Sequence, residues 1–285
     1  MNLKYNKNLK ALSQKAAKLV ATLYDKSRPI FSYAEAEQIL ETRAATDQVL
    51  AQLLKRGVAA RLKPGVFSLV PFEMGFEREY MGNPYIVARE LSRSKRKIVS
   101  EHESYYISHA SAFDLHQMLT QPQLVVYATV PKLVRARTVL GTEFRFVRCK
   151  KEDLFGITEM WVDKTEKVMV SDLERTLLDG LKQPNYCGGI TEVAKAFSMK
   201  REIIDPKKLT LYCLRLDIGA VIRRLGYIME LYQIGTSSEW DILLEKLTAT
   251  YHLLDPHLPP EGHHVARWRL RLNVSEDELR ALRSN

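Results

Sequence analysis

The fold of the N-terminal part of the chain is decided by residues 32–70, which read SYAEAEQILETRAATDQVLAQLLKRGVAARLKPGVFSLV. Ser32 and Glu35 have the spacing of a capping box, in which each side chain hydrogen-bonds the backbone of the other residue, so a short helix begins here. A polar turn then leads to a further helix from about Ala45 to Arg56, and Gly57 suits the left-handed conformation that ends helices. Two short helices joined by a tight turn predict a helix-turn-helix, whose second helix lies in the major groove of DNA.

The residues on either side complete this module. Upstream, apolar residues recur at steps of three and four, as on a helix with one buried face, and Arg28-Pro29 ends that helix. Downstream, residues 59–63 and 66–70 alternate around Pro64-Gly65 and predict a β-hairpin. This order predicts a winged helix-turn-helix in residues 1–75, with the hairpin as the wing. The buried stripe of the first helix is predicted to contain Leu9, Leu12, Ala16, Leu19, Val20 and Leu23.

Candidate DNA contacts follow from the side chains that point outward. On the second helix of the pair these are polar groups that can hydrogen-bond base edges or phosphates, and the hairpin alternation places two cations near its tip. Asp47 is explained by the attraction of a carboxylate to the N-terminal end of a helix dipole. The alternative is a three-helix bundle with a hairpin, whose charges only solvate it. The predicted DNA-binding residues are Thr42, Arg43, Thr46, Gln48, Gln52, Arg61 and Lys63.

The distribution of charge supports the DNA interpretation. Residues 1–70 hold 12 Lys and Arg against 5 Asp and Glu, which is +7 of the chain's formal net charge of +9. Residues 71–150 carry +4 and residues 151–285 carry −2. A basic N-terminal module on a nearly neutral body is typical of a protein that binds nucleic acid, because duplex DNA attracts cations whatever its sequence.

The remaining composition argues against several other classes. The three cysteines are scattered, which argues against a disulfide scaffold or a zinc finger and is typical of the reducing cytoplasm. No apolar run is long enough for a membrane span or a signal peptide. His109 and His116 are seven residues apart rather than four, and phosphate-binding glycine loops are missing. We therefore expect a cytoplasmic protein with no membrane partner, no cofactor, no metal site and no catalytic residue.

Residues 82–285 mix predicted helices and strands and form the larger domain, so the fold class is α+β, with residues 71–84 as the linker. The predicted elements of this domain include a helix at 108–119 and strands at 124–130, 138–148, 157–162, 166–170 and 265–274. The basic run Arg93–Lys97 predicts a solvated loop, with an extension of the DNA footprint as the alternative. In residues 172–179, Asp172 is expected to cap a helix, and Glu174 and Arg175 are expected to form a surface charge pair. A catalytic carboxylate pair that includes Asp179 is the alternative.

Five segments occur together in this chain: ISHASA at 107–112, SDLERTLLD at 171–179, GGI at 188–190, LGY at 225–227 and WRLRLN at 268–273. Together they resemble the AbiEi antitoxins of the AbiE phage-defence systems, in the same order and over nearly the whole chain. The segment at 171–179 is the most specific of them. The basic run Arg93–Lys97 departs from the family pattern.

The resemblance implies a winged helix followed by an antitoxin domain. It further implies a type IV antitoxin that binds inverted repeats of double-stranded DNA in its own promoter and represses its operon. Self-association on that DNA is compatible with such repeats. Its partner would be a cognate nucleotidyltransferase toxin, which it counteracts and need not bind in a stable complex. The family supplies no catalytic residue. Two other functions stay open: a metabolite-responsive winged-helix regulator, and an enzyme that the winged helix targets to DNA.

Overall fold

A computed structural model describes residues 12–71, 81–93, 104–119 and 124–282. The chain divides into two compact units. The first unit consists of Met1–Arg96, Ala136–Phe144 and Trp161–Val168, and the second of Lys97–Arg135, Arg145–Met160 and Met169–Asn285. Helices and strands occur in both, and the α+β fold class is confirmed.

Four helices of the first unit begin at residues whose side chains cap them. Ser13 accepts a hydrogen bond from the backbone of α1, and Thr42 does so for α3. The predicted capping box of α2 is confirmed, because Ser32 and Glu35 hydrogen-bond each other's backbone N–H groups. The left-handed conformation of Gly57, with φ of 66°, follows α3 as predicted. The helices are α1 (Gln14–Asp25), α2 (Tyr33–Leu40), α3 (Arg43–Lys55) and α4 (Pro84–Ser92).

Three short strands complete the winged helix-turn-helix. They are β1 (Ile30–Ser32), β2 (Ala59–Lys63) and β3 (Val66–Leu69), in the antiparallel order β1-β3-β2. The apolar faces of α1, α2 and α3 pack together over this sheet, with Leu19, Phe31 and Leu53 nearly inaccessible to solvent. The predicted stripe of α1 is therefore buried from Ala16 onward, while Leu9 lies outside the described residues.

The first unit continues beyond the predicted linker at residues 71–84, of which 72–80 lie outside the described residues. Helix α4 belongs to this unit and contacts β2. Its buried Arg89 donates hydrogen bonds to the Glu166 carboxylate at 2.8 Å and to the Lys167 carbonyl at 2.9 Å, both in a segment of the same unit. Truncating the chain at residue 75 or 82, the predicted bounds of the two domains, would thus separate elements of one compact unit.

Six strands between residues 106 and 171 form a mixed sheet in the order β6-β7-β5-β4-β9-β8. Strand β4 pairs antiparallel with β5 and parallel with β9. The six strands are β4 (Tyr106–Ile107), β5 (Val125–Val130), β6 (Arg137–Val139), β7 (Thr142–Arg148), β8 (Ile157–Trp161) and β9 (Lys167–Ser171). The strands predicted at 124–130, 157–162 and 166–170 are confirmed to within one residue. The stretch predicted at 138–148 is instead a hairpin of two strands with left-handed residues at its turn, Leu140 and Gly141, and β4 was not predicted.

The helices of the second unit surround a large apolar core, in which Phe197, Leu225 and Trp268 are fully buried. A small sheet, β10-β12-β11, contributes to the same core. Its strands are β10 (His252–Leu253), β11 (His263–Val265) and β12 (Leu270–Leu272). The helices are α5 (His109–Leu115), α6 (Leu173–Lys182), α7 (Ile190–Lys200), α8 (Pro206–Leu216), α9 (Gly219–Tyr232), α10 (Ser237–Leu244) and α11 (Glu276–Ala281).

Two predicted elements of the second unit differ from the structure. The predicted helix from Ser108 to Leu119 ends at Leu115, because Gln117 adopts a left-handed conformation with φ of 56°. The predicted single strand from Val265 to Val274 is interrupted by a turn in which Trp268 is fully buried. Within the part of the chain that the structure describes, no helix is both long and apolar enough to cross a membrane.

Candidate functional site

The solvent-facing side of α3 is the surface that a helix-turn-helix presents to DNA. We call it the recognition face, and it consists of Arg43, Ala44, Asp47, Gln48, Ala51 and Lys55, all exposed. The opposite side of α3 is held in the core by Val49, Leu50 and Leu53. Because the two alanines are small, they would let the helix approach a base edge closely, and an alanine methyl can pack on the methyl group of thymine.

Arg43 and Gln48 occupy this face as predicted. Among the described residues, neither side chain makes a hydrogen bond, so their donors face solvent. Asp47 has a partner instead: its carboxylate accepts a 2.8 Å hydrogen bond from the Tyr33 hydroxyl. This bond is the main cause of a raised pKa of Tyr33. The recognition face therefore offers a guanidinium and an amide whose hydrogen-bonding groups are available to a ligand.

The predicted contact through Thr46 is wrong, because this side chain is fully buried. Thr46 precedes Val49, Leu50 and Leu53 by three, four and seven residues, which is the spacing of one helix face. Its hydroxyl donates to the Thr42 carbonyl at 2.9 Å. The Thr42 hydroxyl is also engaged, since it accepts a 3.3 Å hydrogen bond from the Ala45 N–H and so caps α3.

Gln52 lies away from the recognition face. Its side chain is half-buried, and its Oε1 atom accepts a 3.1 Å hydrogen bond from the hydroxyl of Ser13, the N-cap of α1. The sequence predicted that Gln52 contacts DNA, but its side chain instead connects α3 with α1. Gln48 is the exposed glutamine of the pair.

The two cations of the wing have different surroundings. Arg61 is exposed, with its guanidinium 5.5 Å from the centre of the Phe67 ring. Lys63 is half-buried, and its ammonium donates hydrogen bonds to the Glu90 carbonyl and, at 3.2 Å, to the Arg93 carbonyl. These carbonyls belong to the C-terminal end of α4, where the helix dipole favours a cation. Lys63 therefore connects the wing with α4, whereas Arg61 is free to reach a phosphate.

The basic run Arg93–Lys97 is only partly described. Arg93 forms a 2.6 Å ion pair with Glu90, and residues 94–97 lie outside the described residues. A groove of about 500 Å³ lies beside Arg93 and the wing turn. Its two arginines are paired with its own carboxylates, since Arg28 also pairs with Glu35 at 3.0 Å.

A buried ionic network lies at the centre of the second unit. The Arg175 Nε atom donates to Asp179 Oδ1 at 3.0 Å, and its Nη2 atom donates to the Tyr106 hydroxyl at 2.9 Å. The same hydroxyl donates to Asp179 Oδ2 at 3.0 Å, which closes a ring of three side chains. A further bond runs from Arg175 Nη1 to the Asp153 carbonyl at 2.9 Å. Burial alone lowers the pKa of Arg175, but the Asp179 carboxylate raises it overall, so the guanidinium stays charged.

The predicted surface pair of Glu174 and Arg175 is wrong, because both side chains are buried. Glu174 pairs instead with Lys208 at 2.7 Å, and Asp172 shares that ammonium at 3.0 Å. The predicted N-cap role of Asp172 is confirmed, since its Oδ1 atom accepts from the Arg175 N–H at 2.9 Å. Asp172 and Glu174 thus share a lysine, while Asp179 is neutralised by an arginine. This arrangement is typical of internal ion pairs rather than of a catalytic carboxylate pair.

His109 and His116 do not form a common site. His109 is buried with φ of 53°, and burial lowers its pKa, so the imidazole is neutral. Its Nδ1 atom lies 2.9 Å from the Ser108 hydroxyl and its Nε2 atom 3.1 Å from Gln183 Oε1. Since the amide oxygen only accepts, Nε2 carries the proton and Ser108 donates to Nδ1. His116 instead bonds the Ser171 carbonyl at 2.7 Å. The described residues contain no cluster of three or more metal-ligating side chains.

The segments that carry the family resemblance meet inside the second unit. Ser171 donates a 3.4 Å hydrogen bond to the Ile107 carbonyl. Gly226 faces the fully buried ring of Trp268, and a Cβ atom at Gly226 would lie 1.9 Å from the Cζ3 atom of that ring. Cys187, next to the GGI segment, is buried, and burial raises the pKa of its thiol well above its ordinary value. Most residues of these segments are therefore interior, while Gly188 and Arg269 are exposed.

Comparison with known proteins supports the fold only. No family model and no curated protein matches the chain. Among solved structures, the crystal structure of the RV2827C protein from Mycobacterium tuberculosis is similar, with a TM-score of 0.71 over 95% of each chain. The two sequences are 15% identical, so the likeness extends to the architecture of the chain and not to its activity.

Proposed function

We propose that this protein binds double-stranded DNA through its winged helix-turn-helix and represses transcription. The observation that carries the proposal is the recognition face of α3, on which Arg43 and Gln48 are exposed with their donors unused by the described residues. Arginine pairs with guanine and glutamine with adenine in the major groove, so this face has the side chains for base readout. The positive charge of residues 1–70 would supply the attraction to phosphate that any duplex provides.

The proposal extends to an antitoxin role for the second unit. It rests on the resemblance of five segments to the AbiEi antitoxins, in which the operon's own promoter is the DNA target and a nucleotidyltransferase toxin is counteracted. Because most residues of those segments are interior, we infer that they support the fold of the antitoxin unit, and that its functional surface includes other residues of that unit. No catalytic activity is required of the protein.

The wing supplies the first prediction. Arg61→Ala should weaken binding to all duplexes and flatten the dependence of log K on log salt by about 0.9, the value for one lost phosphate contact. Lys63→Ala should leave the salt slope nearly unchanged and lower the stability of the unit, because Lys63 bonds α4 rather than solvent. Fluorescence anisotropy titrations at several salt concentrations measure the slope. Lys26→Ala, which removes an exposed charge after α1, is the matched control, and an Arg61 slope equal to this control would exclude the wing from the interface.

The two activities should be separable by point variants in the full chain. Arg43→Ala combined with Gln48→Ala should abolish repression of a promoter reporter and still rescue cells that express the cognate toxin, because the changed residues belong to the recognition face alone. Full-length variants are needed because truncation between 75 and 82 divides the first unit. If the double variant lost rescue while it remained folded and expressed, neutralisation would act through DNA binding and the separate antitoxin role would fail.

A further inference from the structure

The second unit has a concentration of positive charge that the winged helix does not explain. It lines a groove of about 670 Å³ at the end of β7. The charged residues of this groove, which we call the basic groove, are Arg148, Lys150, Lys151 and Lys182 against Asp153 and Asp217. The groove therefore has an excess of two positive charges on a unit that is otherwise nearly neutral.

Most of these cations are not neutralised by the protein. Among the described residues, Arg148 and Lys182 make no hydrogen bond or ion pair. Lys150 approaches Glu152 only at 3.8 Å, and its side chain is 77% exposed, so that pair contributes little. The groove beside the wing, by contrast, pairs its arginines with its own carboxylates. An excess of like charge in one groove creates a positive potential that attracts an anion.

The same groove contains the start of α9. Ile218, the N-cap residue, has no side chain that can accept a hydrogen bond, and the first turn carries no acidic residue. The N-terminal end of a helix has a partial positive charge. This adds to the potential that the side chains create, although the side chains carry most of it.

We propose that the basic groove binds the phosphate backbone of a single-stranded nucleic acid. The cations of the groove are on long, mostly exposed side chains, which can contact successive phosphates. Sites for small molecules are typically more enclosed and more apolar than this groove. A flexible single strand can follow a concave groove, whereas a duplex is a stiff rod with a convex surface. None of the described lining residues is aromatic, so the contact is to the backbone and not through stacked bases.

The test uses the full chain and a fluorescently labelled single-stranded oligonucleotide, as DNA and as RNA of one sequence. Arg148→Ala with Lys182→Ala should weaken binding to both strands and flatten the salt slope by about 0.7 for each lost phosphate contact. Lys207→Ala with Lys246→Ala is the matched control, since it removes two exposed charges from the same unit. The control variant should bind as the wild type does, and both variants should keep the wild-type melting temperature.

Three results would overturn the proposal. The first is a groove variant that binds single strands as tightly as the control variant. The second is a loss that is larger for a duplex of the same length than for the single strand. The third is a loss of tripolyphosphate binding, measured by thermal shift, with unchanged single-strand binding, which would make the groove a small-anion site. The loss of single-strand binding in the groove variant should also be seen when Arg43 and Gln48 are replaced. Failure of the proposed duplex DNA readout can therefore be distinguished from failure of this proposal.

Discussion

Replacing Arg175 by methionine is expected to destabilise the second unit by about 3–5 kcal/mol, since the loss of one member of a buried ion pair leaves the other charge uncompensated. Arg175 is 1% exposed, and its guanidinium holds Asp179, Tyr106 and the Asp153 carbonyl. Methionine has a similar length, so the variant removes the charge and the hydrogen bonds while it fills most of the space. Urea denaturation followed by circular dichroism measures the change in the free energy of unfolding.

A double variant provides the control for this prediction. Arg175→Met combined with Asp179→Leu removes both charges, so it should be markedly more stable than Arg175→Met alone. A surface pair, which the sequence predicted for Arg175, would behave differently. In that case the single variant would cost no more than about 1 kcal/mol, and the second change would not restore stability.

Gly226→Ala is expected to cost about 3 kcal/mol or more, at the upper end of the usual range for overpacking of a core. The new Cβ atom would lie 1.9 Å from Cζ3 of Trp268, and atoms of the same ring lie within 2.3 Å on either side. The ring cannot easily move, because it is fully buried and its Nε1 atom donates to the Glu230 carboxylate. The melting temperature and the free energy of unfolding of the full chain report the effect.

Replacing Trp268 provides the control for this prediction. In a Trp268→Leu background the clash is absent, and alanine is a better helix former than glycine by about 1 kcal/mol. Gly226→Ala should therefore be neutral or stabilising in that background, although Trp268→Leu is itself destabilising. An equal cost of Gly226→Ala in both backgrounds would mean that the glycine serves another purpose than making room for Trp268.

The local structure of the winged helix was predictable because local signals agree there. The capping box of Ser32 and Glu35, the glycine after α3 and the alternation around Pro64-Gly65 each specify a backbone conformation within a few residues. Long-range partners are not specified in this way. Nothing in the sequence near Lys63 indicates that the end of α4, some thirty residues later, would bind its ammonium.

The predicted contact residues on α3 show when helical spacing determines the exposure of a side chain and when it does not. The sequence alone could have excluded Thr46 as a DNA contact, because Thr46 precedes three buried apolar residues by three, four and seven positions. The sequence alone could not have excluded Gln52 as a DNA contact, since its side chain is engaged by a hydrogen bond from Ser13, which is distant in the chain. The polarity of a side chain is therefore a weaker guide to exposure than its place in the apolar stripe.

The second unit shows the same limit for charged residues. The spacing of Arg175 and Asp179, four residues apart on α6, is that of an ion pair and was visible in the sequence. The burial of that pair was not, because Tyr106 and Phe155 come from distant segments that cover it. Similarly, the alternation of residues 265–274 predicted one strand, and the burial of Trp268 against Gly226 imposes a turn instead.

If the exposed face of α3 reads duplex DNA, the protein should bind a specific duplex more tightly than a non-specific one, and the ratio of the two affinities measures this. The full chain is titrated by fluorescence anisotropy into a duplex from upstream of its own gene and into a shuffled duplex, at one salt concentration. We expect a preference for the upstream duplex of at least about 10³-fold. We expect Gln48→Ala to lower this preference by roughly 1–3 kcal/mol, whereas Gln52→Ala, which changes the same residue type away from that face, should leave it intact. Equal affinity of the wild-type protein for both duplexes, or equal effects of the two glutamine variants, would show that this face of α3 does not read the DNA sequence.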